Sequence, residues 1–341
     1  MNPKQIYIKT TESCQIHCKH CYIGDARLRK HFFDEIQTAK WLHQWIDYNN
    51  FDEEKLLFSF HGGEPMICPT HKIKYICEQF PKATFNTTTN LVYKLTDDKL
   101  DLFLNHFIDK TVNKPFIKTS WDYKIRFTEP NYESIWRNNV QLLKQNGCCV
   151  QVIVCLTSLL INEISPKEFV NIFKDLGVDI VSFERLTANT TQDEYLIPNY
   201  QQQDEWIFNV YKENDNYFHL SIVNDIVNAI NGRFMGCRER KCMSNVITIN
   251  ADGTLGGCPN TALTANFGTI YDSPNNVLTN PCRLCSIQKE QKRDSRCYIC
   301  DLFNICNGDC HQLSWQGDHC PAPKMLMRAL LNIDNSEKNK L

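Results

Sequence analysis

The sequence predicts an α/β fold followed by a cysteine-rich region. Three observations predict it. Through residue 185, short strand-like runs alternate with helix-like runs, six times in succession. The cysteines crowd at two places, positions 14 to 21 and 237 to 320. Beyond residue 232, apolar material thins out among Cys, Gly, Asn and Pro.

The strand candidates are 5–10, 55–61, 83–88, 116–120, 150–156 and 180–183. They are short, and several are rich in β-branched or aromatic residues, which suit a pleated surface. Between them lie stretches with apolar residues at helical spacing. In 34–48 these are Ile36, Ala39, Trp41, Leu42, Trp45 and Ile46. Similar stretches cover 132–145 and 166–176, the latter with Ser165 placed as an N-cap. Six strand–helix units in series predict a parallel sheet with right-handed crossovers, either an open sheet or a partial barrel. In both, the loops after the strand C-termini carry the active site. Residues 186–204 read as polar and irregular, and helix-like segments follow at 203–212 and 222–231. The boundary falls near Arg233, giving units 1–232 and 233–331 and a frayed tail, 332–341. A segment as poor in apolar residues as the second unit needs metals or disulfides to hold it.

Composition narrows the function classes. The formal net charge is −2 and no long basic stretch occurs, so no nucleic-acid partner is expected. No run of about 18 apolar residues marks a membrane span. The first thirteen residues lack the apolar core of a signal peptide, so a cytoplasmic location is expected. Eighteen cysteines in such a chain read as reduced thiols that bind metal rather than as disulfides.

Cys14, Cys18 and Cys21 form a CxxxCxxC loop directly after the first strand candidate. Three thiolates within eight residues can wrap one corner of a metal cluster and leave one metal site open. A zinc site completed by His17 or His20 is the plainer alternative. Gly62-Gly63-Glu64-Pro65 follows the second strand. The glycines let the backbone approach a ligand closely, and the Glu64 carboxylate can accept from an ammonium. In the C-terminal region, Cys242, Gly253 and Cys258 precede a Cx2Cx5Cx3C run at Cys297, Cys300, Cys306 and Cys310, then Cys320. A zinc ribbon is the alternative there. Of the remaining cysteines, Cys68, Cys77, Cys148, Cys149 and Cys155 read as small buried hydrophobes, and Cys282-x2-Cys285 as a metal or redox pair.

The CxxxCxxC loop and the GGEP turn resemble the signature of the radical S-adenosylmethionine (SAM) superfamily. The later cysteines resemble its SPASM domain. The resemblance spans about the whole chain and implies a partial (β/α)6 TIM-type barrel with a C-terminal iron–sulfur domain. Three 4Fe–4S clusters are implied. Cys14, Cys18 and Cys21 would hold the one that cleaves SAM to a 5′-deoxyadenosyl radical. Cys237, Cys242, Cys258 and Cys310 would hold a second, and Cys297, Cys300, Cys306 and Cys320 a third. Tyr22 would lie near the adenine, and Gly62, Gly63, Glu64 and Pro65 near the SAM amino group. Asn90, in the Thr-Thr-Asn-Leu turn, and Ser120, in Ser-Trp-Asp, would also contact SAM, with Leu91 and Tyr123 standing where relatives carry glycine. Asp122 would face substrate as the catalytic residue, and Arg185 would meet a carboxylate.

Relatives with this architecture mostly modify peptides or proteins, by crosslinking, epimerisation or oxidation. A peptide or protein substrate is therefore implied, with an external electron donor such as flavodoxin or ferredoxin. Only thirteen residues precede Cys14, so a separate leader-peptide-binding protein is a further expected partner. The size resembles anaerobic sulfatase maturases, but those carry a catalytic Asp directly after the cysteine matching Cys258, where this chain has Pro259. Two other readings stay open: a radical SAM dehydrogenase or epimerase acting on a small molecule such as a sugar alcohol, and a zinc-stabilised non-enzymatic binding protein.

Overall fold

A computed structural model describes residues 4–187, 193–261 and 263–333. In β1 (Lys4–Thr11), Ile6 and Ile8 are buried beneath helices, while Gln5, Tyr7 and Lys9 occupy the other face. The same alternation runs through β2 (Leu56–Gly62), where Phe58 and Phe60 alternate with Ser59 and His61. A parallel sheet covered by helices on both faces is apolar on both. Here the second face is polar, so it lines a lumen, and the sheet curves into a partial barrel rather than opening flat.

The remaining elements follow in chain order. They are α1 (Glu35–Tyr48), α2 (Thr70–Gln79), β3 (Thr84–Thr89), α3 (Asp97–His106), β4 (Ile108–Asp109), β5 (Lys114–Ser120) and α4 (Tyr132–Gln145). Next come β6 (Cys149–Leu156), α5 (Ser158–Glu163), α6 (Pro166–Leu176), β7 (Ile180–Arg185), α7 (Tyr200–Glu213), β8 (His219–Leu220) and α8 (Ser221–Ile230). The C-terminal region adds α9 (Cys242–Asn245), β9 (Val246–Ile249), β10 (Leu255–Gly256), α10 (Pro274–Leu278), α11 (Pro281–Glu290), α12 (Phe303–Cys306) and α13 (Lys324–Leu331).

All six strand candidates are present, and β1, β2, β3, β5, β6 and β7 pair in parallel in that order. Helices α4 and α6 match their expected spans. Ser165 caps α6 through a full capping box with Glu168. Phe58, Phe80 and Phe85 stack at 5.2 Å between the sheet and its outer helices.

The sheet is longer than the sequence suggested. Strand β9, from the cysteine-rich region, pairs in parallel with β1, Gln5 opposite Val246. Strand β10 then closes that edge antiparallel. Helices α12 and α13 pack on α8, and α13 also packs on α7. The expected boundary near Arg233 falls in the turn after α8, and the first strand beyond it belongs to the barrel's own sheet. Cys68, Cys77, Cys148 and Cys155 are buried, Cys149 is half-buried, and Cys282 and Cys285 lie exposed on α11. Residues 334–341 of the tail, and 188–192 of the irregular stretch, lie outside the described residues.

One ion pair joins the two regions. Arg185, at the end of β7, grips Asp309 with two bonds of 2.6 and 2.7 Å. Asp309 is 2% exposed. Removing one charge of such a pair strands the other in a low dielectric. Asp309→Asn is expected to destabilise the protein by about 3–5 kcal/mol, and adding Arg185→Met should recover much of that loss. Denaturant unfolding of the wild type, both single variants and the double variant checks the cycle. Additive losses would mean that the pair does not couple.

Candidate active site

The loop after β1 carries Cys14, Cys18 and Cys21, and the ends of the neighbouring strands hold it. The GGEP turn is the nearest. Gly63 N–H donates to Thr11 O at 2.8 Å, and Glu64 N–H to Ser13 O at 2.8 Å. A Cβ on Gly62 would lie 2.1 Å from Thr11 O, and one on Gly63 would lie 2.2 Å from Ser13 O. Gly62 also has φ 136°. Only glycine fits either position. At the end of β3, Asn90 Nδ2 lies 3.6 Å from Cys14 Sγ, and Gln15 Nε2 donates to Asn90 Oδ1 at 3.0 Å. After β5, Lys19 N–H donates to Ile125 O, and His20 Nε2 lies 3.3 Å from Asp122 Oδ2. The three cysteines thus sit where β1, β2, β3 and β5 end, with their loop tied to the turns after them.

Two of the expected site residues, Glu64 and Asp122, are tied into the scaffold by hydrogen bonds. Glu64 is fully buried. Its carboxylate accepts from Met66 N–H, Thr89 Oγ1 and Asn90 N–H, at 2.9, 2.7 and 2.7 Å. Burial pushes its pKa up to about 7 against those donors. The side chain therefore ties the end of β2 to the end of β3, and it is the backbone of the turn that faces the cysteine loop. Asp122 is 1% exposed. It takes Arg126 Nε at 2.6 Å and Cys155 N–H at 2.7 Å, besides His20. Burial pushes its pKa up, but Arg126 and His20 outweigh it and hold the carboxyl well below the usual range. His20, Asp122 and Cys155 lie close enough to hold a metal ion, yet Arg126 already supplies the cation. Asp122 ties the loop after β5 to β6 and to the cysteine loop.

Arg185 pairs with Asp309, which the docking of the C-terminal region brings within reach. Leu91 takes the expected glycine's place and also its conformation, φ 53°, with the side chain fully buried. That backbone state costs a non-glycine residue about 1 kcal/mol or more. Ser120 ends β5 on the same rim as the GGEP turn and is 8% exposed.

Below this rim lies the polar face of the barrel. Tyr22 Oη and His61 Nδ1 are 3.2 Å apart, and burial lowers His61 to about 3, which keeps the imidazole neutral. Lys9 Nζ lies 5.0 Å from the Tyr22 ring centre. Lys9 is fully buried, and its ammonium has no hydrogen-bond partner among the described residues. Lys118 on β5 and Glu184 on β7 occupy inward register positions farther round. The sequence reading did not single out Lys9, His61, Lys118 or Glu184. The signal was present: one charged or ring-nitrogen residue in each of four strands, in line with neutral polar residues two positions away, where parallel pairing should make a strand apolar throughout.

The C-terminal cysteines gather in two groups. Cys297, Cys300, Cys306 and Cys320 line one pocket with Phe303 and Trp315, a space of about 290 Å³. In the second group, Cys237 is pushed well below the usual thiol range, first by hydrogen bonding with Cys242 and then with Cys310. Burial, with Cys237 nearby, pushes the Cys258 thiol up to about 12. Both groups have the donor chemistry of a four-thiolate iron–sulfur site. The chain-distant Cys310 meets Cys237, which also meets Cys242.

No family model matches the chain. It is 22% identical over 334 residues to a serine-type anaerobic sulfatase-maturating enzyme of Bacteroides thetaiotaomicron, covering 87% of this chain and 80% of that protein. Among solved structures, native anSMEcpe with bound AdoMet and the Cp18Cys peptide superposes with a TM-score of 0.76 at 16% identity, covering 97% of this chain and 99% of that one. Streptococcus suis SuiB bound to precursor peptide SuiA gives 0.60 at 16% identity, over 91% and 72%. No described helix is long and apolar enough to cross a membrane. The fold is the one these structures share.

Proposed function

We propose that the protein modifies a peptide by radical SAM chemistry, with Cys14, Cys18 and Cys21 holding the cluster that binds SAM. The observation that carries this is the cysteine loop itself. It is fixed at the mouth of a polar lumen by Gly63, Asn90 and Asp122, from three different strand ends. Bound there, SAM would supply the radical chemistry for hydrogen abstraction. The chain's own residues do the rest. The backbone of Gly62–Glu64 shapes the wall against which the cofactor lies, and Asn90 donates to Cys14. Tyr22, oriented by His61, lines the space next to the third cysteine. The lumen residues Lys118 and Glu184 provide charges that a peptide segment would meet.

The solved relatives bound to peptides support a peptide as substrate. Pro259 stands where sulfatase maturases carry their catalytic Asp. That favours a peptide reaction other than formylglycine formation. The two C-terminal thiol groups would hold auxiliary clusters, and a flavodoxin- or ferredoxin-type donor would reduce the enzyme.

Anaerobic reconstitution should yield about twelve irons per chain, because eleven thiolates and one open position complete three four-iron sites. Substituting Ala at Cys14, Cys18 and Cys21 together should leave about eight irons and abolish SAM cleavage. Stoichiometric zinc without iron would sink the reading. Incubation with SAM and the peptide encoded nearest the gene, read by mass spectrometry, tests the substrate class.

Gly63→Ala should cost the first cluster alone, since its Cβ collides with Ser13 O at 2.2 Å. About eight irons are then expected. Retention of all twelve would mean that the GGEP turn is free to move away from the loop.

Cys310→Ala should raise hydrogen exchange around residues 237–258, more than fifty positions away, because it removes a ligand shared with Cys237 and Cys242. Exchange confined to the neighbourhood of residue 310 would refute the crossed grouping.

A further inference from the structure

Three arginines stand beside the thiol group of Cys237, Cys242, Cys258 and Cys310, two of them buried and one half-buried. Arg238 is 6% exposed and Arg240 3%. Arg185 is the third, inside the pair with Asp309. Arg240 lies in the short loop between Cys237 and Cys242. It takes a left-handed backbone, φ 58°, and its N–H returns to Cys237 O at 3.2 Å. Its Nη2 donates to Lys292 O at 2.8 Å. Its Nε and Nη1, and Nε of Arg238, have no hydrogen-bond partner among the described residues. Arg185 is within electrostatic reach of Cys237 and Cys310, and Arg240 of Cys310.

The local carboxylates do not balance these charges. Asp309 is gripped by Arg185 and lies 3.8 Å from Arg238. Glu290, 1% exposed, accepts from the N–H groups of Cys242 and Met243 instead. A buried guanidinium with open N–H groups is costly unless an anion meets it. An iron–sulfur cluster held by four thiolates is such an anion, and its sulfur atoms accept hydrogen bonds.

The other thiol group is built differently. Arg238, next in the chain to Cys237, also acts on Cys306. Arg296, the cation beside Cys297, stacks on Trp315 at 4.1 Å and pairs with Asp294 at the surface. Water and salt screen a charge there.

We propose that Arg240 sets the reduction potential of the cluster held by Cys237, Cys242, Cys258 and Cys310, keeping it above that of the cluster held by Cys297, Cys300, Cys306 and Cys320. Reduction adds negative charge, so buried cations and N–H···S bonds favour the reduced form. This rests on the cluster assignment of the preceding section. It extends that assignment by ranking the two auxiliary sites as electron acceptors.

The test uses the full chain, reconstituted anaerobically, in the background with Ala at Cys14, Cys18 and Cys21, so that only the auxiliary clusters remain. Redox titration followed by electron paramagnetic resonance should resolve two potentials. Arg240→Gln should lower the higher one by about a tenfold change in the reduction equilibrium, 59 mV for one electron, with iron unchanged near eight. Arg240→Lys should recover part of that shift, and Arg296→Gln should move neither potential. Unchanged potentials in Arg240→Gln at full iron content overturn the proposal. So does a loss of four irons from Arg240→Gln that Arg240→Lys does not repair, which would make the arginine a strut of the loop. An unsubstituted background without eight irons would instead strike at the cluster assignment itself.

Discussion

Everything at the candidate site depends on one close approach of backbone to backbone. The turn after β2 lies so near the loop after β1 that no side chain fits between them at Gly62 or Gly63. That contact fixes where the cysteine loop begins. The carboxylate of Glu64, accepting from three donors at once, then fixes the turn relative to β3. Asn90 passes the constraint back to Cys14. Each link is short and buried, so the loop's position follows from the strand order rather than from the loop's own sequence.

Much of the barrel was legible because its outer face is written in period two and its helices in period 3.6. Phe58 and Phe60, or Val150 and Val152, announce a strand with one covered side, and Ser165 with Glu168 announces a helix start. The cysteine spacings were legible for a related reason, since few chemistries ask for three thiols in eight residues. The roles of Glu64, Asp122 and Arg185 were less so. A carboxylate in a motif looks the same whether it meets a ligand or a backbone N–H, and only the packing distinguishes them. Arg185 and Asp309 are 124 positions apart, and no local pattern links them.

Strand β9 escaped for a different reason. Its four residues, Val246–Ile249, lie in a stretch whose composition speaks of loops. Pairing with an already formed β1 supplies the stability that so short a run lacks alone. The lumen residues were readable in principle. Lys9 and His61 sit opposite one another in register on β1 and β2, and their polarity decides between a flat sheet and a curved one.

The sheet ends at both sides in strands of two residues, β10 and β8. Very short borders leave few unpaired backbone groups for another chain to capture. The C-terminal region therefore also guards against aggregation. Without it, β1 would offer Gln5–Ile8 as a bare, regular border of donors and acceptors. The same four-residue strand that shields this border also anchors the thiol-bearing segments to the barrel, so one pairing both covers an edge and seats the cysteines.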